Sequence, residues 1–175
     1  PINIAKDEQF QPHFLEVSPN NRIPAIVDKE NNNYSLFESG AILMYLAEKS
    51  GKLINKSNSD EYYRTIEWLM WQMGGVGPMF GQVHHFVKYN KGKSAYAEER
   101  YSKEARRLYG VMDKRLGQHQ YISGKEYSIA DISIWPWTAR FDWQEIDLSE
   151  YKNVTRWYKE MADRPAVQKL SLIHI

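Results

Sequence analysis

The chain contains no cysteine. Disulfides, thiolate metal sites and a cysteine nucleophile are therefore excluded within these 175 residues, and a CxxC redox pair would have to lie upstream. An excess of charge is also lacking: 23 Lys and Arg face 22 Asp and Glu for a net charge of +1, with the basic residues spread among acids, so composition gives no basis for a nucleic-acid partner. No apolar run approaches the roughly 20 residues of a membrane span, and no signal-peptide pattern opens the sequence. Metal-ligand spacing is missing too. His84 and His85 are adjacent, so a helix points them about 100° apart, and no HExxH accompanies them. Asp28, Glu30 and Asn32 match three calcium-loop positions, but Asn33 stands where glycine is required and Ser39 where a bidentate glutamate belongs. No metal site is expected. What is present is a globular composition, 42% hydrophobic, over a length that suits one domain or two small ones.

The pattern along the chain divides near Leu53 to Asp60, where LINKSNSD interrupts the apolar periodicity. Ahead of it, Ala25 to Asp28 and Tyr34 to Phe37 are short β-favouring runs separated by KENNN, the pattern of an antiparallel hairpin. A helix follows from about Gly40 to Lys49, with Ile42, Leu43, Leu46 and Ala47 on one stripe and Gly51 as its stop. After the division only helices are predicted. Ser59 caps the first, which carries Ile66, Leu69, Met70 and Met73 on one face. Gly74, Gly75, Gly77 and Pro78 then predict a bend or break before a run from about Met79 to Val87. A phosphate loop does not suit these glycines, because no strand precedes them and no GK[ST] follows. A long helix from about Ser94 to Leu116 aligns Tyr101, Ala105, Leu108, Met112 and Leu116. Ser128 and Asp131 form a capping box, with Tyr127 and Ile132 as its staple. Trp68, Trp71, Trp135 and Trp137 are expected in the core or an interface, some lining a second-substrate site.

Three features bear on binding. The Ile23-Pro24 bond can be cis at a cost of only about 0.5–1 kcal/mol, and a cis bond would turn the main-chain groups of Ile23 outward for strand-like pairing with an extended peptide. Glu38 and Ser39 sit at a helix start, whose free amides and positive dipole end suit a carboxylate. The ordinary alternative makes Ser39 a plain cap and Glu38 a dipole partner. Arg100 lies beside the stripe of its helix, either reaching across a cleft or a dimer interface towards a carboxylate or pairing with Glu104 one turn on.

The string NNRIPAIVD followed by LFESGAILMYLAEKSG resembles the glutathione-binding half of cytosolic glutathione transferases, in detail closest to the bacterial Nu class of disulfide-bond oxidoreductase type. The resemblance continues through WLMWQMGGVGPMFGQVHHF, YAEERY, RLYGVMDKRL, YSIADISIWPW and VTRWYKEMADRPAV, so it covers nearly the whole chain. It implies an α+β fold: a partial thioredoxin-like glutathione-binding domain over residues 1–52, lacking its first strand and helix, and an all-helical C-terminal domain over 60–175. It also implies that the Ile23-Pro24 bond is cis, that Ile23 pairs with the cysteinyl backbone of glutathione, and that Glu38 and Ser39 hold the γ-glutamyl end. Arg22 and Gln9 are weaker candidates near the charged or polar ends, and Arg100, in YAEERY, helps to hold the tripeptide. The residue facing the glutathione sulfur is expected in the missing segment, since PINIAKDEQF aligns with the second strand or the loop after it. The chain has no initiator methionine and its ending, SLIHI, is unlike the family's, so it is read as a fragment. The implied activity uses glutathione as co-substrate, its thiol reducing a small disulfide or conjugating an electrophile, in a cytoplasmic homodimer. The alternative is a non-catalytic binding or regulatory module of the same fold. The capping box resembles the folding signature of the family's helical domain and is given a structural role only.

Overall fold

Ala25–Asp28 (β1) and Tyr34–Phe37 (β2) form the antiparallel hairpin that the two β-favouring runs predict, paired from Ala25 opposite Phe37 to Asp28 opposite Tyr34. Asn32 and Asn33 turn the chain between them with φ values of 49° and 57°, a region that asparagine tolerates better than most residues. The computed structural model describes residues 1–173, with side chains through Leu170. The comparison of the ending SLIHI with the family therefore lies outside the described side chains. Two compact units are resolved, Pro1–Ile54 and one that begins at Asn55.

In the first unit the hairpin is followed by α2 (Ser39–Ser50), which ends at Gly51 with φ 65° and the Gly51 amide on the carbonyls of Ala47 and Glu48. Asp28 fastens strand to helix. Its carboxylate accepts from the Lys49 ammonium at 2.5 Å, the Tyr45 hydroxyl at 2.6 Å and the Glu30 amide at 3.0 Å. The Lys49 and Tyr45 bonds hold its pKa at about 2. Ahead of β1, PINIAKDEQF is loop rather than strand, with 3-10 turns at Ile4–Lys6 and Glu8–Phe10 before the short helix α1 (Pro12–Leu15). Phe14, Ile42 and Ala47 are the buried apolar side chains of this small unit.

The second unit starts at Ser59, whose hydroxyl accepts from the Tyr62 amide at 3.1 Å and caps α3 (Asp60–Trp71). The glycine-rich stretch after it does not break the helix. Gln72–Val76 forms a π-helical turn, in which the Gly77 amide bonds the Gln72 carbonyl five residues back, and the chain continues as α4 (Gly77–Val83) into a second π turn, His84–Tyr89. A wide turn accommodates a proline ring and its missing donor where an ordinary α-turn would clash, so Pro78 sits at the start of α4 and the helical run survives. A Cβ at Gly77 would meet the end of the Gln72 side chain, Nε2, at 2.7 Å and displace it, with the Trp137 ring at 3.5 Å.

The long helix α5 (Ala95–Leu116) packs its predicted stripe inward, with Ala105, Leu108, Met112 and Leu116 buried and Tyr101 partly so. The core is completed by α6 (Ile129–Thr138) and α7 (Lys152–Ala162), which contribute Ile134, Val154, Trp157 and Met161, and α8 (Pro165–Ile173) follows. Trp68, Trp71, Trp135 and Trp137 lie partly buried against this core. The capping box is closed on both sides, and its carboxylate does more than cap. Asp131, fully buried, accepts from the Ser128 amide at 3.0 Å and hydroxyl at 3.1 Å, from the Ile122 amide at 2.9 Å and from Trp157 Nε1 at 2.9 Å. Among the described residues no helix is long and apolar enough to cross a membrane.

Losing a cap hydroxyl costs about 0.5–2 kcal/mol, whereas each buried donor left without an acceptor costs about 1–3 kcal/mol. Ser128→Ala is therefore expected to destabilise modestly and Asp131→Ala by clearly more, since it strands the Ile122 amide and the Trp157 indole. Urea denaturation checks the order, and equal losses would contradict the anchoring role of Asp131.

Candidate functional site

Phe37 still belongs to β2 and Ser39 already belongs to α2, so one residue must turn the chain from strand to helix. That residue is Glu38. It holds φ 71° and ψ 115°, outside the regions ordinary for a side chain with a Cβ, a conformation that costs about 1–3 kcal/mol and that clusters at ligand sites. Glu38, not Ser39, occupies the N-cap position, without a side-chain cap bond, and Ser39 is the first helical residue. The plain-cap reading of Ser39 therefore fails for a geometric reason: the link is too short to leave Ser39 outside the helix. The Glu38 carbonyl accepts the first helical bond, from Ile42 at 2.9 Å, while its carboxylate stays exposed and takes a long bond from Asn20 Nδ2 at 3.4 Å.

The Asn20–Glu38 bond brings the loop before β1 to this corner. The Ile23-Pro24 bond in that loop is cis, as the resemblance implies. Ala25 opens β1 opposite Phe37, which closes β2, so Ile23 and Pro24 lead into the hairpin at the end where Glu38 and Ser39 leave it. Ile23 is 53% exposed, and among the described residues neither its amide nor its carbonyl has a hydrogen-bond partner. The structure thus places Ile23, Glu38 and Ser39 at the same end of the hairpin. Arg22 adjoins them in sequence, but its guanidinium folds back on the carbonyl and side chain of Asn21, and its own carbonyl accepts from Ser18 Oγ at 2.8 Å. Gln9 lies on the turn Glu8–Phe10 with its Oε1 buried and unpartnered among the described residues, and no hydrogen bond joins it to the corner. Asn20 is the residue that sequence reading passes over, since nothing in a run of two asparagines marks which one reaches a carboxylate 18 residues away.

Chemically the corner offers three complementary groups: a carboxylate for an ammonium, a helix start for a carboxylate, and an unpaired main-chain edge for an extended peptide. An α-amino acid head joined to a short peptide satisfies all three.

Arg100 belongs to the second unit. Glu104, its predicted alternative partner, instead takes the Arg107 guanidinium with both oxygens, at 2.7 and 2.8 Å, and that bond holds the Glu104 pKa below its ordinary value. Among the described residues Arg100 has no hydrogen bond or ion pair. It lines a cleft of about 610 Å³ with Tyr101, Lys103 and Arg107, facing Glu99 and Glu104. With Arg107 and Glu104 paired, Arg100 and Lys103 face Glu99, an excess of one positive charge that favours an anion in this cleft.

Comparison with known proteins identifies the family. Residues 1–48 match the glutathione S-transferase N-terminal domain and residues 75–165 the glutathione S-transferase C-terminal domain. Disulfide-bond oxidoreductase YfcG of Escherichia coli K12 is 47% identical over 169 residues, covering 94% of this chain and 78% of its own length. Among solved structures, a glutathione transferase family member from Pseudomonas fluorescens with two glutathione bound superposes with a TM-score of 0.90 at 44% identity, over 96% of this chain and 78% of that one. A glutathione transferase from Pseudomonas putida with one glutathione disulfide bound per subunit gives 0.89 at 42% identity, over 96% and 76%. With its two-stranded thioredoxin-like region and its helical domain, the chain belongs to the glutathione S-transferase family.

Proposed function

We propose that the corner formed by Ile23, Glu38 and Ser39 binds glutathione, and that the protein uses the thiol of that ligand to reduce a small disulfide. The observation that carries the reading is the conformation of Glu38: a strained backbone at a strand-to-helix junction has a use if it aims a carboxylate and a helix start at one ligand. In this reading Glu38 accepts the γ-glutamyl ammonium, the start of α2 takes the γ-glutamyl carboxylate, and Ile23 pairs with the cysteinyl backbone. Residues 1–52 supply this binding domain and residues 60–175 the helical one. Arg22 and Gln9 are weaker members of the set, and Arg100, which lines the cleft without a hydrogen bond or ion pair among the described residues, is a further glutathione contact.

The chemistry suits a chain without cysteine. A glutathione thiolate attacks one sulfur of the acceptor disulfide, the other sulfur leaves as thiolate, and a second glutathione thiolate attacks the glutathione sulfur of the mixed disulfide, releasing the second acceptor thiolate and glutathione disulfide. Every sulfur belongs to a ligand. A helix start and hydrogen-bond donors near the thiol lower its pKa and raise the thiolate fraction. Disulfide reduction is preferred over conjugation because the relatives include a disulfide-bond oxidoreductase and a structure with glutathione disulfide bound. A Nu-type homodimer in the cytoplasm completes the proposal. Assay of the protein with a small disulfide and with a chlorinated aromatic acceptor decides the reaction: turnover of the disulfide supports the reading, and glutathione binding without turnover of either acceptor identifies a binding module.

Two substitutions at one position separate strain from binding. Glu38→Ala is expected to weaken glutathione binding by about 1–3 kcal/mol, the scale of a lost charged hydrogen bond, as read by calorimetric titration. Unchanged affinity would return Glu38 to the role of a dipole partner. Glu38→Gly should lose the same affinity yet raise stability by about 1 kcal/mol, because glycine accepts φ 71° without penalty. A glycine variant no more stable than the alanine variant in thermal unfolding would show that the junction stores no strain.

A further inference from the structure

We propose that His84, Gln144 and Tyr109 form a proton-operated latch, closed while the His84 imidazole is neutral and opened by its protonation. The latch joins the π turn His84–Tyr89 to the 3-10 turn Phe141–Gln144 and to α5. Its central member is the buried Gln144 side chain. Gln144 Oε1 accepts from the Tyr109 hydroxyl at 2.7 Å, and Gln144 Nε2 donates to the Trp137 carbonyl at 2.9 Å and faces His84 Nε2 at 3.1 Å. The orientation of this amide is fixed, because the reverse one would set its oxygen 2.9 Å from the Trp137 carbonyl oxygen. Gln144 therefore presents an N–H to His84, and His84 Nε2 must accept it. The ring can do so only when neutral, with its proton on Nδ1.

The surroundings oppose a positive ring as well. Burial and the Arg140 guanidinium hold the His84 pKa below its ordinary value, with Asp142 acting weakly the other way. The His84 ring lies 5.9 Å from that of Trp137 and 5.5 Å from that of Trp143, and Trp143 already carries the Arg140 guanidinium at 4.9 Å and the Lys88 ammonium at 5.8 Å. A third cation at these rings has one carboxylate, Asp142, to offset it. The other ties at this corner, the Lys91–Glu145 ion pair and the bond from Arg106 Nη2 to the Glu145 carbonyl at 3.3 Å, involve no histidine.

A neutral histidine locked in this way leaves the closed form fully stable above about pH 6.5, where the released ring is neutral too; below that value the released ring gains a proton that the closed ring refuses. Opening then grows about tenfold for each further pH unit, until the depressed pKa of the closed state is reached. The freed turn carries Phe86, whose ring stacks on Tyr101 at 5.5 Å, and Tyr101 lines the cleft of Arg100. The latch stands whether or not that cleft takes glutathione.

Histidine side-chain nitrogen NMR and amide hydrogen exchange, corrected for intrinsic rates, test it between pH 8 and 5.5. At pH 8 the His84 ring should be the Nδ1–H tautomer, and the amides of residues 84–90 and 141–146 should open about tenfold more per pH unit below pH 6.5, a slope that disappears in His84→Gln. An Nε2–H tautomer, a pH-independent opening of the unsubstituted protein, or the same slope in His84→Gln would each overturn the proposal. If His84→Gln fails to fold, the tautomer and the slope of the unsubstituted protein decide alone.

Discussion

The buried carboxylate of Asp131 is the interaction on which the helical unit depends. It accepts from the main chain of the loop before α6, from the start of α6 itself and from the indole of Trp157 on α7, so one acceptor sets the positions of three segments. The loop it holds is held from the other side by Arg115 of α5, which donates to the carbonyls of Ile122 at 2.9 Å and Ser123 at 2.8 Å. Arg115 in turn lies over the Trp68 ring of α3 at 5.3 Å. Breaking the carboxylate would release this series at its middle, at a position shielded from solvent. The cleft of Arg100 and the His84 network are carried by the same unit.

The first unit works by a different constraint. Its core is small, and its hairpin is tied to α2 by the Asp28 network rather than by a large apolar interface. What it offers to chemistry is main chain: the uncommitted groups of Ile23, the start of α2 and the strained Glu38 between β2 and α2. Main-chain recognition tolerates changes in neighbouring side chains but not a change in the length of the link. An added residue between Phe37 and Ser39 would relax Glu38 and move its carboxylate away from Asn20.

Local features were legible from residue order because their causes are local. The hairpin, the Ser59 and Ser128 caps, the Gly51 stop and the inward stripe of α5 follow from turn chemistry and periodicity. The features that escaped depend on lengths or on distant partners. The strain at Glu38 needs the last residue of β2 and the first of α2 to be known to within one position, which residue preferences do not give. Glycines and a proline announce a disturbance at residues 74–78, yet whether a helix breaks or widens by one residue per turn depends on what packs beside it, here Trp137 and Gln72 against Gly77. Spacing offered Glu104 to Arg100, but Arg107, one turn further on, takes it with a two-pronged bond. The His84–Gln144–Tyr109 network joins residues 60 and 35 positions apart, beyond the reach of any helical or strand period.

The most direct test of glutathione binding at the first unit is an amide chemical-shift titration of the isotope-labelled protein with reduced glutathione. Saturable shifts centred on Ile23, Ser39 and Gly40, with one common dissociation constant, are expected if an unpaired edge and a helix start hold the ligand. Shifts that leave these three amides unmoved while other residues saturate would contradict it.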